Sequence, residues 1–249
     1  LVAIYFAGHT LITITAPAWI RRLSWKRVTF FAALAGAVAF LISAQFEAFL
    51  PLSVTLFCVG LCGGTLFVVA MTFAADSNKP ARNFGVVFFA QVAMGMAVVF
   101  VVPQWVTPRW GYAGVAIIYA VLFAVGALVA LNFNAVSRVP HVMAAGSRDG
   151  FRARPGFGLV GILVLFLGAS GFWTFIERLG SASGLQAEFV ANALAGGLFA
   201  GMVACLLTSF FDERLGLRGP IVFCCSLILV ALGCIGNEVT PNSYLLTVL

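Results

Sequence analysis

Charge is what this sequence has least of. Asp, Glu, Lys and Arg make up 9% of its 249 residues, and histidine occurs only at His9 and His141. A soluble domain carries about 25% charged residues to cover its core, so a water-soluble globule is excluded. An enzyme buried in a membrane would need several acids or histidines at one depth, and eight acids and two histidines spread along the chain do not supply them. There is no phosphate loop, metal-ligand cluster or nucleophile triad, so the expectation is no enzyme, no cofactor and no metal. Cysteine is sparse too. Cys58, Cys62, Cys205, Cys224, Cys225 and Cys234 all fall inside apolar stretches, where a thiol behaves as a small buried side chain. Their spacing supports neither a disulfide framework nor a metal site.

Apolar residues are abundant, at 62%. They form eight stretches, at about 1–20, 28–46, 49–75, 84–106, 112–133, 157–176, 189–211 and 220–236. A helix needs about 20 apolar residues to cross a hydrocarbon core of about 30 Å, and each stretch meets or nearly meets that length. Unpaired backbone groups are not tolerated in lipid, which leaves helices or a closed barrel. Barrel strands alternate apolar and polar residues, and runs such as 115–131 do not. The fold class expected is an all-α membrane protein.

Positive charge sits in alternate gaps between the stretches. Arg21, Arg22, Lys26 and Arg27 follow the first, and Lys79 and Arg82 the third. Arg138, Arg148, Arg152 and Arg154 follow the fifth, and Arg214 and Arg218 the seventh. Twelve of the fourteen Lys and Arg residues are therefore in odd gaps, with only Arg109 and Arg178 in even ones. Positive residues near span ends stay in the cytoplasm, so odd gaps are expected there and Leu1 on the outer side. The net charge of +6 is then a consequence of topology, and no nucleic-acid partner is expected. The chain begins with Leu directly in an apolar stretch, and residues 243–249 resemble the start of a ninth. A fragment of a longer protein is expected.

The longest gap, 134–155, is rich in Gly, Ser, Pro and Arg and suits a cytoplasmic linker between an N-terminal bundle at 1–133 and a C-terminal bundle at 156–249. Other gaps are short, so successive helices are expected to be antiparallel and side by side. An internal repeat supports the division. Aligning Arg22 with Arg214 brings Leu23 onto Leu215, Ser24 onto Gly216 and Lys26 onto Arg218, six spans apart. Parallel repeats of this kind occur in transporters that hold substrate at the repeat interface.

On this pattern the chain resembles the major facilitator superfamily, whose members have two six-helix bundles joined by a cytoplasmic linker. Their loop between the second and third spans reads G-x-x-x-D-R-x-G-R-[KR], with a weaker copy between the eighth and ninth. Glu213-Arg214-Leu215-Gly216 followed by Arg218 matches the second copy. The first is degenerate: Pro17 and Ser24 stand at glycine positions and Arg21 where the acid belongs. The resemblance implies a pair of six-helix bundles incomplete at both ends, covering spans two to nine and the start of ten. It also implies a cytoplasmic gate, for which Arg22, Lys26, Asp212, Glu213, Arg214 and Arg218 are the candidates. The family's R-x-x-x-G-x-x-x-G run in the fourth span is matched by Gly60 and Gly64, but Leu56 occupies the Arg position. The Gly-Pro signature of drug antiporters is missing from 84–106. Both departures count against a proton-driven drug exporter.

Trp173, Glu177 and Arg178 form the most specific internal site. Trp173 and Glu177 are one helical turn apart on one face, and ionisable groups in a span belong in the bundle or a wet cavity. Gly180 and Gly184 are expected to let the helix bend there. Gln91 and His9 complete the candidate substrate or coupling-ion cavity, Gln91 because an unpaired amide deep in a span is costly. The function expected is secondary active transport of a small organic solute by alternating access, in the plasma membrane (the inner membrane in a bacterium). The alternative is a membrane subunit of a pump or channel driven by a partner. Expected partners are lipid, a small-molecule substrate and a coupling proton or cation, and the protein is expected to act as a monomer.

Overall fold

Each apolar stretch folds as a helix because, in lipid, a helix alone satisfies every backbone group within its own segment. The computed structural model describes residues 1–46, 48–132, 153–211, 218–237 and 239–248. The described residues form α1 (Val2–Trp19), α2 (Trp25–Ser43), α3 (Phe49–Ala75), α4 (Pro80–Val101), a π-helical turn (Val102–Val106), α5 (Thr107–Leu131), α6 (Ala153–Ala182), α7 (Ala187–Phe211), α8 (Arg218–Asn237) and α9 (Pro241–Val248). Among them, six helices are long and apolar enough to cross a membrane. The 30-residue α6 and the 20-residue α8 contain the two remaining apolar stretches.

Contacts divide the chain into two compact units, Leu1–Val87 with Ala97–Pro140 and Phe88–Met96 with His141–Leu249. In the first, packing does not follow chain order: α1 lies on α3, and α2 lies on α3 and α5. The expectation that each helix runs beside the next is met by α2 with α3, by α6 with α7 and by α8 with α9, but not by α1 with α2. Glycine explains the choice of partner. A Cβ on Gly60 would collide with the Tyr5 carbonyl oxygen, one on Gly8 with that of Phe57, and one on Gly64 with Ile12. Small residues let two backbones touch where lipid provides no hydrophobic drive. α2 has small residues too, among them Ala33, Gly36 and Ala37, but α1 does not pack on them. Instead Phe123 of α5 covers Gly36 of α2, and Phe40 stacks on Tyr119 with centroids 5.2 Å apart.

The loop after α1 is anchored by Trp25, which is buried with Ala16, Ile20, Val68 and Val69. Its indole Nε1 donates to the Ile20 carbonyl at 2.7 Å. Pro17, expected at the head of the loop motif, lies inside the last turn of α1.

Helical turns continue through most of the gap expected at 107–111 and break only at Gly111. Pro103 has no N–H to give, the α-helical ladder slips, and the Thr107 N–H reaches back five residues to the Val102 carbonyl. Gly111 then turns the chain at φ 55° and ψ −149°, a conformation that glycine adopts without steric cost.

In the second unit α6 continues six residues past the expected end at 176. It stops at Gly184, whose φ of 78° closes a Schellman turn with the Leu185 N–H donating to the Gly180 carbonyl at 3.2 Å. α9 begins with a reciprocal cap: Thr240 N–H donates to Ser243 Oγ at 2.9 Å and Ser243 N–H to Thr240 Oγ1 at 3.2 Å, with Pro241 in the first helical position.

Candidate functional site

The C-terminal part of α6 is held by one aromatic side chain. Tyr244 of α9 is fully buried with Ile176, Val190, Ala193 and Val248. A Cβ on Gly180 would come within 2.9 Å of the Tyr244 ring, so the missing side chain is what admits the ring. From there the Tyr244 hydroxyl donates to the Ile176 carbonyl at 3.1 Å. Gly180 therefore packs a partner inside α6, and the chain leaves the helix at Gly184. Gly197 of α7 does the same for the Val248 carbonyl, whereas the Cβ side of Gly201 faces open space.

Ile176 and Gly180 are buried, and Trp173 and Glu177 flank them as exposed residues on the same side of α6. Trp173 is exposed and lines a cleft of about 450 Å³ walled by α6, α8 and α9. Val164, Leu165, Phe172 and Ile228 give the cleft apolar walls, and Thr247 is its polar side chain besides the Trp173 indole. The Thr247 hydroxyl is itself occupied, donating to the Ser243 carbonyl at 2.6 Å. A volume in the range of roughly 300–1,000 Å³ suits a small organic molecule. Glu177, one helical turn along α6 from Trp173, is exposed and is not in the cleft wall. Arg178 is also exposed, and the two neighbours form no ion pair with each other.

The other candidates stand apart from this group. His9 is half-buried on α1 between Tyr5 and Phe67, with ring centroids 6.3 and 5.5 Å away. Gln91 is exposed on α4. Arg22 is exposed and Lys26 half-buried, flanking the Trp25 anchor. Asp212, Glu213 and Arg214 lie outside the described residues, as does the side chain of Arg218.

The acid that the first loop motif lacks comes from elsewhere. Arg21, in the acid's place, forms a two-pronged ion pair with Asp76, which caps the C-terminus of α3. One of its bonds, Arg21 Nη2 to Asp76 Oδ1, is 2.9 Å. Hydrogen bonding to Asp76 raises the Arg21 pKa above its ordinary value, against a smaller opposing effect of burial. The pair is physically demanded: a carboxylate at a helix C-terminus is disfavoured by the dipole, and the Asp76 side chain is only 12% exposed. The signal was present in the sequence. Arg21 reverses the sign of a motif position, and Asp76 is the one acid in the first and third gaps.

A search of curated proteins finds no match for the chain. The family model of the Major Facilitator Superfamily matches residues 1–249. Helical spans, apolar helix contacts and the whole-length match agree, and the chain belongs to the Major Facilitator Superfamily, a family of multi-pass membrane transporters.

Proposed function

We propose that the protein is a secondary active transporter that moves a small organic solute by alternating access. Two bundles, 1–133 and 156–249, rock about a site between them and are joined by the linker at 134–155. The odd gaps face the cytoplasm, and the membrane is the plasma membrane. Arg22 and Lys26 on one side, with Asp212, Glu213, Arg214 and Arg218 on the other, close the cytoplasmic face. The observation that carries this reading is the cleft lined by Trp173, which stands one helical turn from Glu177 on α6. Apolar and aromatic walls take up the carbon skeleton of a solute, and the carboxylate supplies either a contact for its polar group or a site for the coupling proton.

The test is uptake into proteoliposomes from a panel of labelled organic solutes, with and without an imposed proton gradient. The proposal expects saturable uptake of at least one solute class without ATP, accelerated by the gradient, and counterflow of the same solute without one. Transport that requires ATP or a second subunit would replace this reading with that of a driven membrane subunit.

A further inference from the structure

The corner between α4 and α5 holds a cation that no acid among the described residues neutralises. Arg109 is exposed and has no ion-pair partner among the described residues. No acid occurs between Asp76 and Asp149 in the sequence, so α4 and α5 themselves carry none. Its guanidinium carbon lies 5.9 Å from the centroid of the Trp105 ring. Trp105 and Trp110 are 61% and 63% exposed, unusual for the largest apolar side chains unless something other than water covers them.

The position of these residues says what that is. They sit at the junction of two membrane-crossing segments, Pro80–Val98 and Gln104–Leu131, at the end of α4 remote from Lys79 and Arg82. Indole rings settle where hydrocarbon meets headgroup, and an arginine at that depth meets lipid phosphate. The backbone devices of this corner create the grouping. The π-helical turn at Val102–Val106 precedes Arg109, and Gly111 folds Trp110 back so that its Cβ crowds Gly114. The guanidinium is thereby held over one indole with a second indole next to it in the chain.

We infer that Trp105, Arg109 and Trp110 form a binding site for the phosphate of an anionic lipid headgroup. Arg109 pairs with the phosphodiester in a medium of reduced dielectric, and the two indoles cover the adjoining glycerol and upper acyl carbons. A free phosphate ion would gain only the first of these contacts.

The test places the purified protein in nanodiscs that contain a phospholipid with a photoactivatable diazirine in its headgroup, either anionic or zwitterionic. Adducts are then mapped by peptide mass spectrometry. The proposal expects adducts on residues 102–113 to be about fivefold more abundant with the anionic lipid. Arg109→Gln should remove that preference, and Arg109→Lys should retain most of it. Adducts on the loop at 21–27 should be unchanged in both variants. Excess inorganic phosphate should not compete, and competition by it would assign the site to a free ion instead. Equal labelling by the two lipids in the unmodified protein, or labelling unchanged by Arg109→Gln, would overturn the proposal. The first comparison decides the matter even if a variant fails to fold.

Discussion

Arg21 and Asp76 show how one reversed charge is accommodated. Asp76 sits at the wrong end of a helix for an acid and is mostly covered, so it depends on the guanidinium for its charge to be tolerated. Because Arg21 is 37% exposed, solvent screens part of the attraction, and the coupling between the two should be about 1 kcal/mol. A double-mutant cycle with Arg21→Ala and Asp76→Ala, read by thermal unfolding in detergent, should return that value. Exchanging the two residues should recover most of the wild-type stability, since Arg at position 76 would suit the α3 dipole. Purely additive losses would reduce the pair to a surface contact. At this scale the sequence was only partly legible. It singled out Trp173 and Glu177 as sharing a helical face; Trp173 lines a cleft, and Glu177 is not in its wall. It did not link Arg21 to Asp76, because pairing across 55 residues depends on α1 packing on α3, which no local pattern encodes.

Among the elements, helix positions were written plainly in the apolar runs, while helix contacts were not. The length and composition of each run determine a span. Which spans touch is decided by where small residues permit backbone approach, and a glycine looks the same whether a neighbour uses it or not. Gly60 and Gly201 make the contrast: the first lies against the Tyr5 carbonyl, and the second has nothing near its Cβ side. Gly60→Leu should therefore force α1 and α3 apart and cost several kcal/mol, enough to prevent recovery of monodisperse protein. Gly201→Leu should be nearly silent. Size-exclusion profiles and unfolding temperatures of the two variants check this, and equal behaviour would contradict the packing described for α1 and α3. The same limit explains the corner at 102–111. Prolines and glycine in that stretch suggest a loop, but the protein keeps helical turns up to Trp110 by changing its hydrogen-bond register and breaks the helix at Gly111 alone.

For the whole molecule, the alternation of Lys and Arg and the family match support a membrane transporter, and the proposal adds that its solute path includes the cleft lined by Trp173. The substrate was not legible, because a wall of aliphatic and aromatic side chains discriminates by shape rather than by a readable motif. The most direct measurement is exchange and gradient-driven uptake, side by side in proteoliposomes, for the wild type, Trp173→Ala and Glu177→Gln. Trp173→Ala should lower both activities at least tenfold through weaker solute binding, since removing an aromatic wall costs about 1.4 kcal/mol or more. Glu177→Gln should abolish gradient-driven uptake while sparing exchange if the carboxylate binds the coupling proton, and lower both if it contacts solute. Wild-type rates for both variants, in both assays and across pH, would contradict the account.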